Sequence, residues 1–272
     1  MTTAKLHVSK NYISKLIKVL AIHGYAQSDI TFKTKLGSLR KGFKKDVEFI
    51  FIRAPHQVPM KSNFGVDETE EGYGWWFNTE DRVFKAVTPS NLSVGFEDSI
   101  SLVERTFDEF GPFDGVLGFS QGAAFATILC SMQQRKLLRF EFDFAIIISG
   151  FKSLCMPHAM YYDEKITIPS LHVYGETDQV IPTEMAEEVS ELFTNKMISK
   201  HEGGHYVPSK KEFYKEFFTE MLRHIAIPST YIKLRKYYFG ETFVRRDQMR
   251  TNSYIPAYLV VAGNLSQVRN GA

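Results

Sequence analysis

Short apolar runs alternate along the chain with longer segments in which apolar residues recur at helical spacing. Apolar runs that end at glycine, proline or polar turns are typical of strands buried on both faces of a sheet. The predicted strands are residues 18–22, 47–52, 115–119, 144–149, 171–174 and 196–199. Because alternating strands and helices favour parallel pairing, the pattern predicts an α/β fold with a mostly parallel central sheet and helices on both faces.

Three of the intervening segments carry clear helix signals. A proline favours the first turn of a helix, so Pro182 predicts a helix that runs towards Leu192. Two other segments place apolar residues three and four positions apart, which gives one apolar stripe along a helix. These stripes consist of Ile100, Val103, Phe107 and Phe110, shortly before Pro112, and of Phe213, Phe217 and Met221.

Residues 53–97, called the excursion below, form a connection far longer than the roughly two to six residues usual between strands and helices of α/β folds. Its acidic cluster at residues 67–71 is typical of a solvated surface. The run Trp75, Trp76 and Phe77 follows neither strand alternation nor helical period. These side chains either pack the excursion onto the core or line a substrate pocket.

Length and composition predict one main domain. A chain of 272 residues commonly forms a single domain in α/β folds, and residues 1–228 are assigned to it. Residues 229–272 form a basic, aromatic C-terminal extension. We expect this extension to be an added packed element or a disordered end, with contact to a membrane or a partner as the alternative.

The charge balance indicates small-molecule partners. The formal net charge is only +2, from 33 basic and 31 acidic residues, so no strong field for nucleic acid is expected. The N-terminus has no apolar stretch of the secretory type, and no run reaches the roughly 18 apolar residues that span a bilayer. These features predict a cytoplasmic protein without integral membrane association. They do not predict an oligomeric state.

The pentapeptide at residues 118–122, Gly-Phe-Ser-Gln-Gly, predicts a nucleophile elbow at Ser120. In the pattern G-x-S-x-G the serine lies on a sharp turn between a strand and a helix, and its hydroxyl stands above the sheet. A side chain at Gly118 or Gly122 would collide with the neighbouring element. Ser120 is therefore the candidate nucleophile.

A serine hydroxyl needs a base to remove its proton and an acid to orient that base. Asp178 follows the strand at 171–174, and His205 follows the strand at 196–199, so the chain order is that of hydrolases with a G-x-S-x-G elbow. Glu176 is the alternative acid, and His201 is the alternative base. We favour His205 because Gly203 and Gly204 precede it and permit a sharp turn.

An oxyanion hole needs two backbone amides, one after the nucleophile and one after the first strand. Gln121 supplies the first, and Tyr25 is the candidate for the second. We expect His23 to order this loop. No residues stand at the spacing of zinc or calcium motifs, so neither a metal nor a cofactor is predicted. Cys130 lies in an apolar stretch and is expected to be a buried thiol without a disulfide.

Several longer motifs accompany these residues. Gly-Pro-Phe-Asp-Gly at 111–115 and Gly-Phe-Ser-Gln-Gly-Ala at 118–123 are the most specific, together with Arg-Ala-Pro at 53–55, Gly-Trp-Trp at 74–76 and Gly-Gly-His at 203–205. Over about residues 16–224 the chain resembles the fungal serine hydrolase (FSH) family, related to ovarian cancer-associated protein 2. The resemblance implies an α/β-hydrolase fold and a triad of Ser120, Asp178 and His205.

The residues and the resemblance together give a leading hypothesis and two alternatives. The leading hypothesis is a serine esterase that cleaves carboxylic esters through an acyl-enzyme. The first alternative is a thioesterase or a lysophospholipase-like hydrolase of longer acyl chains, for which the aromatic run at 75–77 would form the acyl pocket. The second is a non-catalytic binding protein on a hydrolase scaffold, since a fold does not dictate a function.

Overall fold

A computed structural model describes residues 16–58 and 71–226. In chain order the strands are β1 (Ile17–Ile22), β2 (Val47–Ile52), β3 (His56–Gln57), β4 (Tyr73–Gly74), β5 (Gly115–Phe119), β6 (Phe144–Ile148), β7 (Ser170–Gly175) and β8 (Lys196–His201). The α-helices are α1 (Asp29–Lys35), α2 (Gly37–Phe43), α3 (Phe96–Phe110), α4 (Gln121–Gln134), α5 (Thr183–Ser190) and α6 (Glu212–Ala226). A 3₁₀ helix spans Met156–Tyr162.

Six strands form one parallel sheet in the order β2-β1-β5-β6-β7-β8. All six strands predicted from the sequence are present, and their ends differ from the prediction by no more than two residues. The short strands β3 and β4 pair with each other as a separate antiparallel ribbon. The predicted α/β fold with a parallel central sheet is therefore confirmed.

The sheet is buried on both faces because its strands direct alternate side chains into two apolar clusters. In β1, Leu20 and Ile22 belong to one cluster, whereas Val19 and Ala21 belong to the other. Helices α3 and α4 and much of the excursion contribute to the first cluster, and α1, α2 and α6 contribute to the second. This two-sided burial explains why the strands are continuous apolar runs in the sequence.

The predicted helices are present with small differences at their ends. In α3 the stripe residues Ile100, Val103 and Phe107 are buried, but Phe110 ends the helix and is 43% exposed. Pro182 caps α5 with an extended backbone, and the helix ends at Ser190, before Leu192. Phe110 therefore continues the helical period of the sequence without joining the core.

The strand order changes direction between β1 and β5. From β1 the chain adds β2 on one side, and it then returns to add β5 and the later strands on the other side. In open α/β sheets the crevice at the carboxyl ends of two such strands is the usual ligand site. The loops that follow Ile22 of β1 and Phe119 of β5 lie at this crevice.

The excursion packs on the first apolar cluster, and residues 53–58 and 71–97 of it are described. Trp75, Trp76 and Phe77 have no exposed surface. The Trp75 ring stacks on Phe125 of α4, with 5.2 Å between ring centroids. Of the predicted acidic cluster, residues 67–70 lie outside the described residues, and so does the extension at 229–272. None of the helices within residues 16–58 and 71–226 combines the length and apolar character needed to cross a bilayer.

Candidate active site

Ser120 lies on the turn between β5 and α4 with φ 53° and ψ −118°. A positive φ is unfavourable for a residue with a Cβ, and neighbouring contacts must hold it in place. The Ser120 amide donates to the Ile148 carbonyl at 2.9 Å, and the Ser120 carbonyl accepts from the amides of Ala123 and Ala124 at 2.9 and 3.0 Å. The serine of the G-x-S-x-G pattern thus occupies a strained turn that hydrogen bonds to the adjacent strand β6 and to the first turn of α4 hold in place.

The two glycines of the pattern let strand and helix approach closely. A Cβ added at Gly118 would lie 2.2 Å from the Gly122 carbonyl oxygen. A Cβ added at Gly122 would lie 2.3 Å from the Ile22 carbonyl oxygen and 2.4 Å from that of His23. These obstacles are backbone atoms, so neither position accepts a side chain without moving α4 away from the sheet.

The structure places Ser120, His205 and Asp178 in one hydrogen-bonded chain. His205 Nε2 lies 3.0 Å from Ser120 Oγ, and His205 Nδ1 lies 2.7 Å from Asp178 Oδ2. An ionised carboxylate only accepts hydrogen bonds, so Nδ1 carries the ring proton and donates it to Asp178. The lone pair of Nε2 is then available to the hydroxyl proton of Ser120.

Asp178 is fixed by the loop between β7 and α5. Its Oδ1 accepts from the amides of Val180 and Ile181 at 2.9 and 2.8 Å. Burial alone raises the pKa of this carboxyl, but the hydrogen bonds from His205, Ile181 and Val180 outweigh burial and keep the pKa below its ordinary value. Asp178 is therefore ionised at neutral pH. The alternative acid, Glu176, is exposed on the same loop.

His205, and not the alternative base His201, faces Ser120. His201 ends β8, is buried, and accepts a hydrogen bond on Nδ1 from the Gly203 amide at 3.2 Å. The His205 ring lies against Phe119, with 4.9 Å between ring centroids. His201 is therefore buried at the end of β8, and the loop that follows β8 places His205 next to Ser120.

Gly203 and Gly204 do not form the left-handed turn for which glycine is usually needed before a sharp change of direction. Neither Gly203 nor Gly204 has a φ in the left-handed region. A Cβ at Gly203 would lie 2.2 Å from the Tyr206 hydroxyl oxygen, whereas a Cβ at Gly204 would meet only ordinary contact with Thr177 at 3.5 Å. The close approach that requires a glycine is instead at Gly175, where a Cβ would lie 2.1 Å from the Gly203 carbonyl oxygen.

The predicted oxyanion residues flank the elbow. Gln121 is the first residue of α4, so its amide has no partner within the helix. Tyr25 lies in the loop after β1. This loop comes close to Ser120, as a Cβ added at Gly24 would lie 3.3 Å from the Ser120 Cβ. The loop after β1 and the start of α4, which are the two segments expected to supply the oxyanion amides, therefore meet beside Ser120.

His23 orders the loop that contains Tyr25. Its Nδ1 lies 2.7 Å from the Gly24 carbonyl oxygen, and its Nε2 lies 3.0 Å from the Ala54 amide. Because the Ala54 amide can only donate, Nε2 accepts, and the ring proton is on Nδ1. Burial lowers the pKa of His23 from 6.5 to about 4, so the imidazole is neutral at neutral pH. This is the loop-ordering role expected from the sequence.

Sequence reasoning missed two side-chain roles near the elbow. The Gln121 side chain is buried and bonds the backbone of Trp75 and Trp76, and the Trp75 indole bonds the carbonyl of His23. No local motif marks these contacts, since they join residues that are 45 to 52 positions apart in the chain. Complete burial gives Trp75, Trp76 and Phe77 the packing role that the sequence left open, and their contact with substrate stays a prediction.

The described part of the site offers side chains and backbone amides for a reaction. Among residues 16–58 and 71–226, no three histidine, cysteine, aspartate or glutamate side chains are grouped to hold a metal ion. Cys130 and Cys155 are buried and free, and burial raises the pKa of both thiols. The arrangement can supply a nucleophilic oxygen, an imidazole base, a carboxylate that orients the base, and backbone donors.

Comparison with known proteins places this chain in a family. A family model described as serine hydrolase (FSH1) matches residues 13–217. Esterase OVCA2 of Danio rerio is 43% identical over 217 residues, which cover 74% of this chain and 96% of the relative. Esterase OVCA2 of Homo sapiens is 34% identical over 222 residues, which cover 75% of this chain and 96% of the relative.

Solved structures share the fold at low identity. SOBER1 of Arabidopsis thaliana matches with a TM-score of 0.53 and 15% identity, covering 76% of this chain and 99% of that protein. Esterase PE8 matches with a TM-score of 0.52 and 22% identity, covering 77% of this chain and 95% of that protein. The family model and the two esterase relatives confirm the resemblance predicted from the motifs, and the chain belongs to the serine hydrolase (FSH1) family.

Proposed function

We propose that this protein is a serine esterase that hydrolyses carboxylic esters through an acyl-enzyme intermediate. The observation that carries the proposal is the distance of 3.0 Å between His205 Nε2 and Ser120 Oγ, with Asp178 bound to the other ring nitrogen. Membership of a serine hydrolase family and relatives named esterases support the same reaction class.

In the acylation step, Ser120 Oγ bonds to the ester carbonyl carbon while His205 Nε2 accepts the hydroxyl proton. The carbonyl oxygen becomes an oxyanion, to which the amides of Gln121 and Tyr25 donate. The tetrahedral intermediate then collapses, the bond to the alcohol oxygen breaks, and His205 returns its proton to the departing alkoxide. The acyl group remains on Ser120 as an ester.

In the deacylation step, water replaces the alcohol. His205 Nε2 accepts a proton from the water as the water oxygen bonds to the acyl carbon, and the second tetrahedral intermediate expels Ser120 Oγ with return of that proton. Asp178 stabilises the imidazolium formed in both steps, since its carboxylate is ionised and already bonded to Nδ1. The products are a carboxylic acid and a regenerated enzyme.

A fluorophosphonate probe tests the nucleophile. We expect the probe to label wild type and to spare Ser120→Ala, and hydrolysis of a p-nitrophenyl ester should fall by at least about 10⁴-fold in the variant, since triad members act as a unit. Ser101→Ala is the matched control because Ser101 is exposed on α3. Labelling and turnover that persist in Ser120→Ala would overturn the assignment.

The same purified enzyme tests the leaving group. A panel of acyl chains of increasing length, each offered as an oxygen ester and as a thioester, is compared by kcat/KM. The proposal expects the oxygen ester to be turned over at least as well as the matched thioester. A consistent preference for the thioester at every chain length would overturn the assignment to carboxylic esters.

A further inference from the structure

The side chain of Gln121 connects the elbow to the excursion. This side chain has no exposed surface. Its Oε1 accepts from the Trp75 amide at 3.0 Å, and its Nε2 donates to the Trp76 carbonyl at 2.7 Å. The same residue therefore presents its backbone amide to the proposed oxyanion and uses its carboxamide to hold two consecutive residues of the excursion.

The Trp75 indole connects the excursion to the loop after β1. Its Nε1 donates to the His23 carbonyl at 2.8 Å, and its ring centroid lies 5.1 Å from that of the His23 imidazole. The Trp75 carbonyl in turn accepts from Ser99 Oγ of α3 at 2.5 Å. Trp75 is thus bonded through its amide, its carbonyl and its indole, and it lies between the two loops that form the proposed oxyanion hole.

The His23 ring sets the orientation of the Tyr25 amide. The Gly24 carbonyl and the Tyr25 amide belong to one planar peptide group, and in a trans peptide they point in opposite directions. When His23 Nδ1 donates to the Gly24 carbonyl at 2.7 Å, it fixes that plane and hence the direction of the Tyr25 N–H. A carbonyl that accepts a hydrogen bond also makes the amide of its peptide group a stronger donor.

We propose that Trp75 is a positioning residue, which holds both oxyanion donors in one rigid unit through the Gln121 side chain and through His23. The proposal rests on the proposed esterase function and adds a role for the excursion in the chemical step. Oxyanion donors stabilise the transition state only when they lie at hydrogen-bond distance from the developing charge. A loosened Trp75 therefore lowers kcat and leaves ground-state binding of the substrate largely unchanged.

Trp75→Phe removes the indole N–H and keeps an aromatic ring and all backbone bonds. We expect kcat to fall by about 10- to 100-fold with KM changed less than about threefold, because loss of an entire oxyanion donor costs about 10²- to 10³-fold. Inhibition by an alkyl trifluoromethyl ketone, which forms a tetrahedral adduct with the serine, should weaken by the same factor as kcat/KM. A loss of protein stability alone would not weaken ketone inhibition and kcat/KM by the same factor.

Gln121→Met provides an independent test with a matched control. Gln133 lies near the other end of α4, and its side chain accepts from the Phe142 amide and donates to the Phe142 carbonyl, both at 2.9 Å. Gln133→Met therefore removes the same two types of hydrogen bond from the same helix without touching the elbow. We expect kcat to fall in Gln121→Met and to stay within about threefold of wild type in Gln133→Met.

The outcomes separate this inference from the proposed function. Wild-type turnover that Ser120→Ala abolishes supports the esterase independently of Trp75. Given that turnover, kcat and ketone affinity within about threefold of wild type in both Trp75→Phe and Gln121→Met would overturn the positioning role alone. An equal loss of kcat in Gln133→Met would also overturn it, while absence of turnover in wild type would overturn both proposals.

Discussion

The change Asp178→Asn tests the proposed triad with little change of shape. Oδ1 of Asp178 accepts from two amides, those of Val180 and Ile181. In the variant the carboxamide oxygen must stay at this position, because an NH₂ group there would face two donors. The NH₂ group then faces His205 Nδ1, which has to accept a hydrogen bond. The ring proton moves to Nε2, where it faces Ser120 Oγ and prevents His205 from accepting the hydroxyl proton.

The magnitude follows from this inversion of the tautomer. The corresponding change in a serine protease of another fold lowers kcat by about 10⁴-fold. That factor equals about 5.4 kcal/mol of transition-state stabilisation, at about 1.36 kcal/mol for each tenfold change. The free energy of unfolding of Asp178→Asn should change much less, since the hydrogen bonds from the Val180 and Ile181 amides to the side-chain oxygen remain. Asp178→Ala, by contrast, leaves both amides without this acceptor, and the loss at the buried Ile181 amide alone costs about 1–3 kcal/mol.

The assay is steady-state hydrolysis of a p-nitrophenyl ester, combined with urea unfolding of each variant. Glu176→Gln is the matched control, because it replaces an exposed carboxylate on the same loop. We expect Glu176→Gln to retain wild-type kcat, and we expect Asp178→Asn and Asp178→Ala to lose kcat to a similar extent but to differ in stability. Retention of more than about a tenth of wild-type kcat by Asp178→Asn would refute the reasoning.

Two further predictions concern stability. Gly122→Ala should destabilise the protein by about 3 kcal/mol, since overpacking against fixed atoms costs about 1–3 kcal/mol or more, and the added Cβ would lie 2.3 Å from a backbone oxygen of β1. Gly37→Ala is the control for urea unfolding, because no atom lies within 4 Å of its added Cβ; equal stability of the two variants would contradict the packing argument. Burial lowers the pKa of His172 from 6.5 to about 3, so the unfolded chain binds a proton that the folded protein excludes as the pH falls below 6.5. As the pH falls from 6.5 towards 3, this histidine should therefore reduce the free energy of unfolding by roughly 1 kcal/mol per pH unit. An acid slope that is unchanged in His172→Phe would count against this prediction.

The parts of the site that were predictable from the sequence are those with a local physical cause. Gly118 and Gly122 are needed because strand and helix touch within five residues, so their spacing alone indicates a turn of this kind. The strands were predictable because burial on both faces makes each of them a continuous apolar run. Asp178 and His205 follow strands of the same parallel sheet, and such strands present their carboxyl ends at one edge.

The rest depended on contacts that no local pattern records. Trp75 is separated from Gln121 by 46 positions and from His23 by 52, and its bonds to both exist only in the folded protein. The prediction that Gly204 permits a sharp turn is wrong because its backbone is not left-handed. The position that excludes a side chain is Gly175, at the end of β7, which approaches the Gly203 carbonyl oxygen only in the folded protein. Residues that act through distant partners carry no spacing signal.

These contacts change the interpretation of the excursion. From the sequence, its aromatic run had two possible roles, in the core or in a substrate pocket, and complete burial of Trp75 and Trp76 supports the first. Yet the core position is not remote from the chemistry, because the Gln121 side chain bonds both residues and belongs to the helix that begins directly after Ser120. A nucleophile on a strained turn needs surroundings that hold it. The excursion contributes to those surroundings, so a change in its packing is expected to alter kcat before it alters the choice of substrate.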